Sequence, residues 1–162
     1  MLNIKNKEDS NMNLSNKEEN KQLKENILNN KDDNNYIIAE INIDKNNINR
    51  SIRLINSFEQ TIKVYKEDIF EEIEKEDYYK YENEKEIKDN CQIEINNKKI
   101  EFSYYYNFKE EGKYIIKYIF LKNITKTNFI LFDCKYLTNL NLSNFNTQNV
   151  ADISYMFSNC KS

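Results

Sequence analysis

The feature that most constrains this chain is self-similarity near its end. Shifted by 26 residues, the last part overlays itself without a gap. Asn123 meets Asn149, Ile124 meets Val150, Phe129 meets Tyr155, Ile130 meets Met156, Leu131 meets Phe157, Cys134 meets Cys160 and Lys135 meets Lys161. A period in the twenties is the length of one turn of a solenoid. One such turn cannot bury its own apolar face, and about three or more stacked turns make a stable array. The chain holds about one and a half, so two expectations follow. It is a fragment or truncated copy of a longer array, or it joins its open end to another chain.

Between the two copies lies Leu137-x-x-Leu140-x-Leu142-x-x-Phe145. Alternation puts Leu140 and Leu142 on the inner side of a short strand and Asn139, Asn141 and Ser143 on the outer side. Val150, Ile153, Met156 and Phe157 stand at helical spacing, suited to packing behind that strand. Asn144, Asn146 and Asn149 fall at the bends, where an Asn side chain satisfies turn backbone groups. The stretch TNLNLSNFNTQNVADISYMFSNCKS resembles the repeat of BspA-like leucine-rich repeat proteins. The resemblance covers residues 123–162, with Asn141 where Asp is common, Ile153 where Met is usual, and FILFDC as a degenerate first copy. It implies a non-catalytic protein-interaction module, with a protein partner and a role in surface adhesion.

Upstream, residues 1–35 alternate Asn, Lys, Glu and Asp with few apolar residues, and such a segment is expected to be disordered. YIIAEINI then places Ile37, Ala39, Ile41 and Ile43 on one strand face. DKNN reads as a turn into a second strand carrying Ile48, Ile52 and Leu54, which together predict a hairpin. Residues 58–90 turn acidic and helical, with Ile69 and Ile73 four apart near Val64, Tyr65 and Phe70, and with Asn83 as an N-cap. A second hairpin follows: Cys91, Ile93 and Ile95, a turn at Asn96-Asn97, then Ile100, Phe102, Tyr104 and Tyr106. Gly112 falls in a turn before the strand YIIKYIFL. The expected fold class is therefore α+β and mostly β. A β-rich cap over 36–122, with an acidic helical insertion near 58–90, leads into the start of a leucine-rich-repeat solenoid at 123–162.

Composition narrows function mostly by exclusion. The chain has 24 basic and 27 acidic residues, interleaved, with a net charge of −3. Nothing forms the basic stripe that nucleic-acid binding requires. Without His the commonest general base is missing, and one glycine cannot build a phosphate cradle. Cys91, Cys134 and Cys160 are too far apart for a zinc knuckle and odd in number, so they read as buried reduced thiols. Neither an enzyme, a cofactor nor a metal is expected, since no carboxylate stands in a catalytic motif and Cys91 would lack a base. The acidic run EDIFEEIEKEDYYKYENEKE lacks the ligand spacing of a calcium loop. The beginning of the sequence has no signal-peptide pattern and no segment has the length of a membrane span. That reads as cytoplasmic, whereas the resembled family is often at the cell surface.

The candidate partner-binding residues are Asn139, Asn141 and Ser143 on the outer strand face, together with Tyr105. Tyr105 points away from Phe102, Tyr104 and Tyr106, and it motivates an alternative, a carbohydrate-binding β domain that stacks sugars on an exposed ring. A non-functional truncated paralogue is the other alternative. Self-association through the open repeat end is a further expectation.

Overall fold

The computed structural model describes residues 35–65 and 75–161. Among the described residues, seven strands and two α-helices follow in chain order: β1 Tyr36–Ile43, β2 Ser51–Arg53, α1 Phe58–Tyr65, α2 Glu84–Asn90, β3 Cys91–Ile95, β4 Lys98–Ile100, β5 Tyr105–Asn107, β6 Gly112–Phe120 and β7 Leu137–Asn141. Short 3-10 turns lie at Lys45–Asn47 and Lys75–Lys80. The fold is mostly β with a minor helical share, as expected. The expected disordered tail, apart from Asn35, and the helical positions Ile69, Phe70 and Ile73 fall outside the described residues.

Five strands form one antiparallel sheet in the order β4-β3-β6-β1-β7. Period-2 alternation sets its buried face. Ile37, Ala39, Ile41 and Ile43 of β1 are buried, next to Ile116, Tyr118 and Phe120 of β6 and Cys91, Ile93 and Ile95 of β3. Tyr118 is the largest of these, and its hydroxyl donates to the carbonyl of Leu54 over 2.6 Å, so the buried oxygen is paired. The register runs from Tyr36↔Ile119 to Ile43↔Gly112, all eight residues of β1 pairing with β6.

The hairpin expected between β1 and β2 does not form. β6 takes one edge of β1 along its whole length and β7 takes the other from Ile38 to Ile41, so no continuous ladder is left for β2. DKNN instead winds into the first 3-10 turn, whose backbone is held by Asp44: its Oδ1 accepts from the Asn46 amide and from Asn47 Nδ2, each at 2.8 Å. The chain then leaves the sheet, and β2 pairs with β5 in a separate two-stranded ribbon. Ile52 and Leu54 are buried there all the same, because alternation fixes a face but not a partner strand.

The second hairpin forms as expected through β3 and β4. Asn96 and Asn97 carry φ of 49° and 63°, the double positive φ of a type I′ turn. Its outgoing strand ends at Ile100 instead of running on to Tyr106. Phe102, Tyr104 and Tyr106 are half-buried and pack on the core from a crossing segment that delivers β5 to β2. Gly112 has φ +143° where β6 begins, and a Cβ there would meet nothing within 4 Å. The turn needs glycine's backbone freedom and not its small size.

Candidate interaction site

Residues 126–133 and 152–159 lie one above the other in parallel, joined by a bridge between Lys126 and Asp152. The amides of Thr127, Phe129, Leu131 and Asp133 donate to the carbonyls of Asp152, Ser154, Met156 and Ser158 over 2.9, 3.1, 3.0 and 3.0 Å. Positions related by the 26-residue shift adopt the same backbone. Phe129 and Tyr155 have φ of 60° and 54°, and Asp133 and Asn159 have φ of 60° and 59°. The left-handed region costs a bulky residue about 1 kcal/mol or more. Here the ladder holds it in place, at roughly 1 kcal/mol per hydrogen bond. Phe129 and Tyr155 stack with centroids 4.9 Å apart and planes at 14°, and Asn159 Nδ2 donates to Asp133 Oδ1 over 2.5 Å.

The ladder has a direction. The alternate amides of Thr127, Phe129, Leu131 and Asp133 point towards the second turn, and the carbonyls of the residues between them face the other way, into the body of the fold. Three of them find donors on two buried asparagines. The Asn83 side chain donates to Asn128 (2.6 Å), the Asn56 amide to Ile130 (2.8 Å) and the Asn56 side chain to Phe132 (3.0 Å). Asn56 and Asn83 are 0% and 3% exposed. They stand where a preceding turn would have placed its amide row.

The surrounding elements lock these two residues. Ser57 caps α1, its Oγ accepting from the Gln60 amide at 3.2 Å, so that Phe58 and Tyr65 face the first turn. Phe58 packs on Phe129 at 5.5 Å and Tyr65 on Phe132 at 5.6 Å, edge to face. Asn83 does occupy the N-cap position of α2, but its side chain does not cap that helix. Its Oδ1 accepts from the Phe58 amide, and the Glu59 carboxylate takes the amides of Asn83 and Glu84 instead. Glu86 accepts from the amides of Thr125 and Lys126, tying α2 to the start of the first turn. Burial works to raise the Glu84 carboxyl. Hydrogen bonds from Lys88 and Gln60 and the charge of Lys63 outweigh it and bring Glu84 down to about 2.

At the far side the second turn is open. The amides of Ile153, Tyr155, Phe157 and Asn159, the next row in the series, have no backbone partner among the described residues. Met156 is buried and Val150 half-buried, but Ile153, Tyr155 and Phe157 are 64%, 40% and 41% exposed. The expected helical packing behind the strand is thus corrected: residues 154–159 are consecutive turns, and alternate side chains face outward. Beside them β7 forms one edge of the sheet. A groove of about 280 Å³ runs between the two, lined by Leu137, Thr138, Asn139, Leu140, Phe157 and Cys160.

Asn139, Asn141 and Ser143 are exposed here, as expected, and local turns occupy part of their polar capacity. Asn139 Oδ1 accepts from the Leu140 amide and Asn141 Oδ1 from the Ser143 amide, at 2.8 and 2.9 Å. Leu140 is half-buried and packs on the core, but Leu142 is 39% exposed, because β7 ends at Asn141 and the alternation ends with it. Tyr105 lies in the other sheet, on β5, and is not brought together with these three. The Arg53 guanidinium sits 4.5 Å from its ring centroid and also donates to its hydroxyl.

Cys91, Cys134 and Cys160 are free thiols. Burial pushes Cys91 up to about 12 and Cys134 well above its ordinary value, and it raises half-buried Cys160 as well. The sulfurs of Cys134 and Cys160 donate to the carbonyls of Leu54 and Leu131. An acidic hollow of about 430 Å³ includes Glu59, Glu82, Glu86 and Asp89, but backbone amides occupy Glu59 and Glu86. Among the described residues no group of three His, Cys, Asp or Glu could hold a metal ion, and no helix is long and apolar enough to cross a membrane. In comparisons with known proteins, no family model, curated protein or solved structure matches the chain.

Proposed function

We propose that this chain is a non-catalytic protein-interaction module of the BspA-like leucine-rich-repeat kind, in which a β-rich cap over residues 36–122 starts a solenoid at residues 123–162. The observation that carries this reading is the in-register stacking of residues 126–133 on residues 152–159, with the same positive-φ positions in both. A second support is the pairing of first-turn carbonyls with Asn56 and Asn83, which is what an end cap must do. The partner is a protein, met by the edge of β7 with Asn139, Asn141 and Ser143 and by the neighbouring rings of Tyr155 and Phe157. Rigid sheet edges and exposed aromatic side chains are common elements of protein interfaces.

The test is site-specific photocrosslinking in the source cells. A photoreactive residue at Asn141 or Tyr155 should capture one discrete protein, while the same residue at Lys98, on the opposite edge strand β4, captures none. Equal capture from both edges, or none from either, would overturn the reading.

A further inference from the structure

The first turn shows what a covered turn looks like in this molecule. Thr127, Phe129 and Leu131 are 0%, 0% and 1% exposed, and their amides are bonded to carbonyls of the second turn. Their counterparts Ile153, Tyr155 and Phe157 share the backbone pattern but lie exposed, with no backbone acceptor among the described residues. Exposure alternates from residue 153 to 159: the odd-numbered residues are exposed and the even-numbered ones are half-buried or buried. The residues that show their side chains are therefore the same ones whose amides are unbonded.

Four donors at alternate residues fit four acceptors at the same spacing, and a polypeptide backbone supplies them. The surface around them carries little charge. Asp152 is the one charged residue from Val150 to Cys160, and its carboxylate already accepts from the Ser154 amide. Phe129 takes one face of the Tyr155 ring, and the ring stays exposed. β7 continues the same surface across the groove. Its residues are uncharged, whereas β4 at the opposite edge of the sheet carries Lys98 and Lys99, charges that discourage strand addition.

A second copy of this chain does not match that pattern. Related by a twofold axis, it would set the amides of Ile153, Tyr155, Phe157 and Asn159 against the same amides, donor facing donor. Stacked head to tail, it would offer the carbonyls of Asn128, Ile130 and Phe132, which Asn83 and Asn56 already occupy.

We propose that this face binds a strand-and-turn unit of another protein, whose strand runs parallel along β7 and whose turn lays backbone carbonyls on the amides of Ile153, Tyr155, Phe157 and Asn159. The inference rests on the interaction reading above and adds the partner's chemistry: a repeat turn with its carbonyl side uncapped. Recognition is directional, because a turn presented amide side first would meet donor with donor.

The probe is a synthetic peptide of residues 137–161 carrying Cys160→Ser. It has the strand and the turn but neither Asn56 nor Asn83, so its carbonyl row is free. The control is the same peptide in reverse order, identical in composition. Fluorescence anisotropy with the full chain should show the forward peptide binding tighter by about tenfold or more. Ile153→Pro tests the donor row itself, since it deletes one amide of the row. Asp152, the residue before it, already lies in the bridge with Lys126, in the extended conformation that proline imposes on its predecessor. Compared with Ile153→Ala, which removes only the side chain, Ile153→Pro should bind the forward peptide about fivefold more weakly. Cys91 and Cys134 unreactive towards iodoacetamide would show that both variants are folded.

Equal affinity for the two peptides, or equal affinity of the two variants, would overturn the proposal. So would a dimer of the chain alone that Ile153→Pro disperses, which would assign the face to a second copy. Capture of a discrete protein from Tyr155 with no preference for the forward peptide would sink this inference and leave the interaction reading standing.

Discussion

The side chain of Asn56 donates to the carbonyl of Phe132 across 76 residues of sequence, and its own amide serves Ile130 two residues earlier. One residue thereby satisfies two carbonyls of a turn that would otherwise be buried unpaired. Replacing Asn56 with Ala removes the side-chain donor and leaves the Phe132 oxygen without it, at a cost of about 1–3 kcal/mol. Asn56→Asp should be at least as damaging, because it sets a carboxylate oxygen against that carbonyl. Urea denaturation monitored by tyrosine fluorescence measures both, and an unchanged midpoint for either variant would remove Asn56 from its capping role.

The turn between β3 and β4 offers a change in the other direction. Asn97 is exposed and holds φ of 63°. Asn97→Gly converts the turn to Asn-Gly, the favoured type I′ pair, and should add roughly 0.5 kcal/mol. The check is a melting temperature raised by a few degrees. A lowered one would mean that the Asn97 side chain contributes more than its backbone strain removes.

Glu84 makes stability depend on acid. Its folded value, about 2, lies below the ordinary 4.5. The unfolded chain therefore binds the proton first as pH falls, so the stabilisation is complete above 4.5 and is lost on the way down to about 2. Glu84→Gln should be less stable at neutral pH and show a flatter profile across that window. Parallel acid-denaturation curves for the two proteins would be the contrary result.

Cys91 works at the opposite end of the scale. With its folded value near 12 against an ordinary 9, the native state keeps a proton that the unfolded chain releases. Stability should accordingly decline as pH rises from 9 towards 12, and iodoacetamide at pH 8 should leave Cys91 and Cys134 unmodified until the protein unfolds. Modification of either at the rate of a free thiol would show that the core opens far more readily than its packing implies.

Much of the sheet was legible because period-2 patterns are local. The four buried side chains of β1, the three of β3, and the Asn96-Asn97 turn needed no knowledge of distant residues. The partner of β1 was not legible. Choosing β6 over β2 depends on an eight-residue register between segments some 70 residues apart, and nearness in sequence favoured the wrong strand. The outward side of β7 could be read from alternation, but the exposure of Leu142 and Ile153 depends on where the strand stops and on what covers the second turn. Asn56 escaped notice, and Asn83 was read only as an N-cap, for a different reason. Asparagine is so common in this chain that it reads as turn and surface filler everywhere. The available signal was the setting of Asn56 between Leu54-Ile55 and Phe58, an apolar run in which a polar residue must be buried and must find partners.

The one-way ladder through residues 126–133 and 152–159 has an arithmetic of its own. Each turn accepts on one face and donates on the other, so a third turn laid upon Tyr155 and Phe157 would quiet one row of amides and present an identical row. Lengthening such a column only moves the unmet demand outward. What ends it must differ in kind from what extends it, as Asn56 and Asn83 do at the beginning. The number of turns is therefore decided by where a stopper arrives, and the turns themselves carry no instruction to stop.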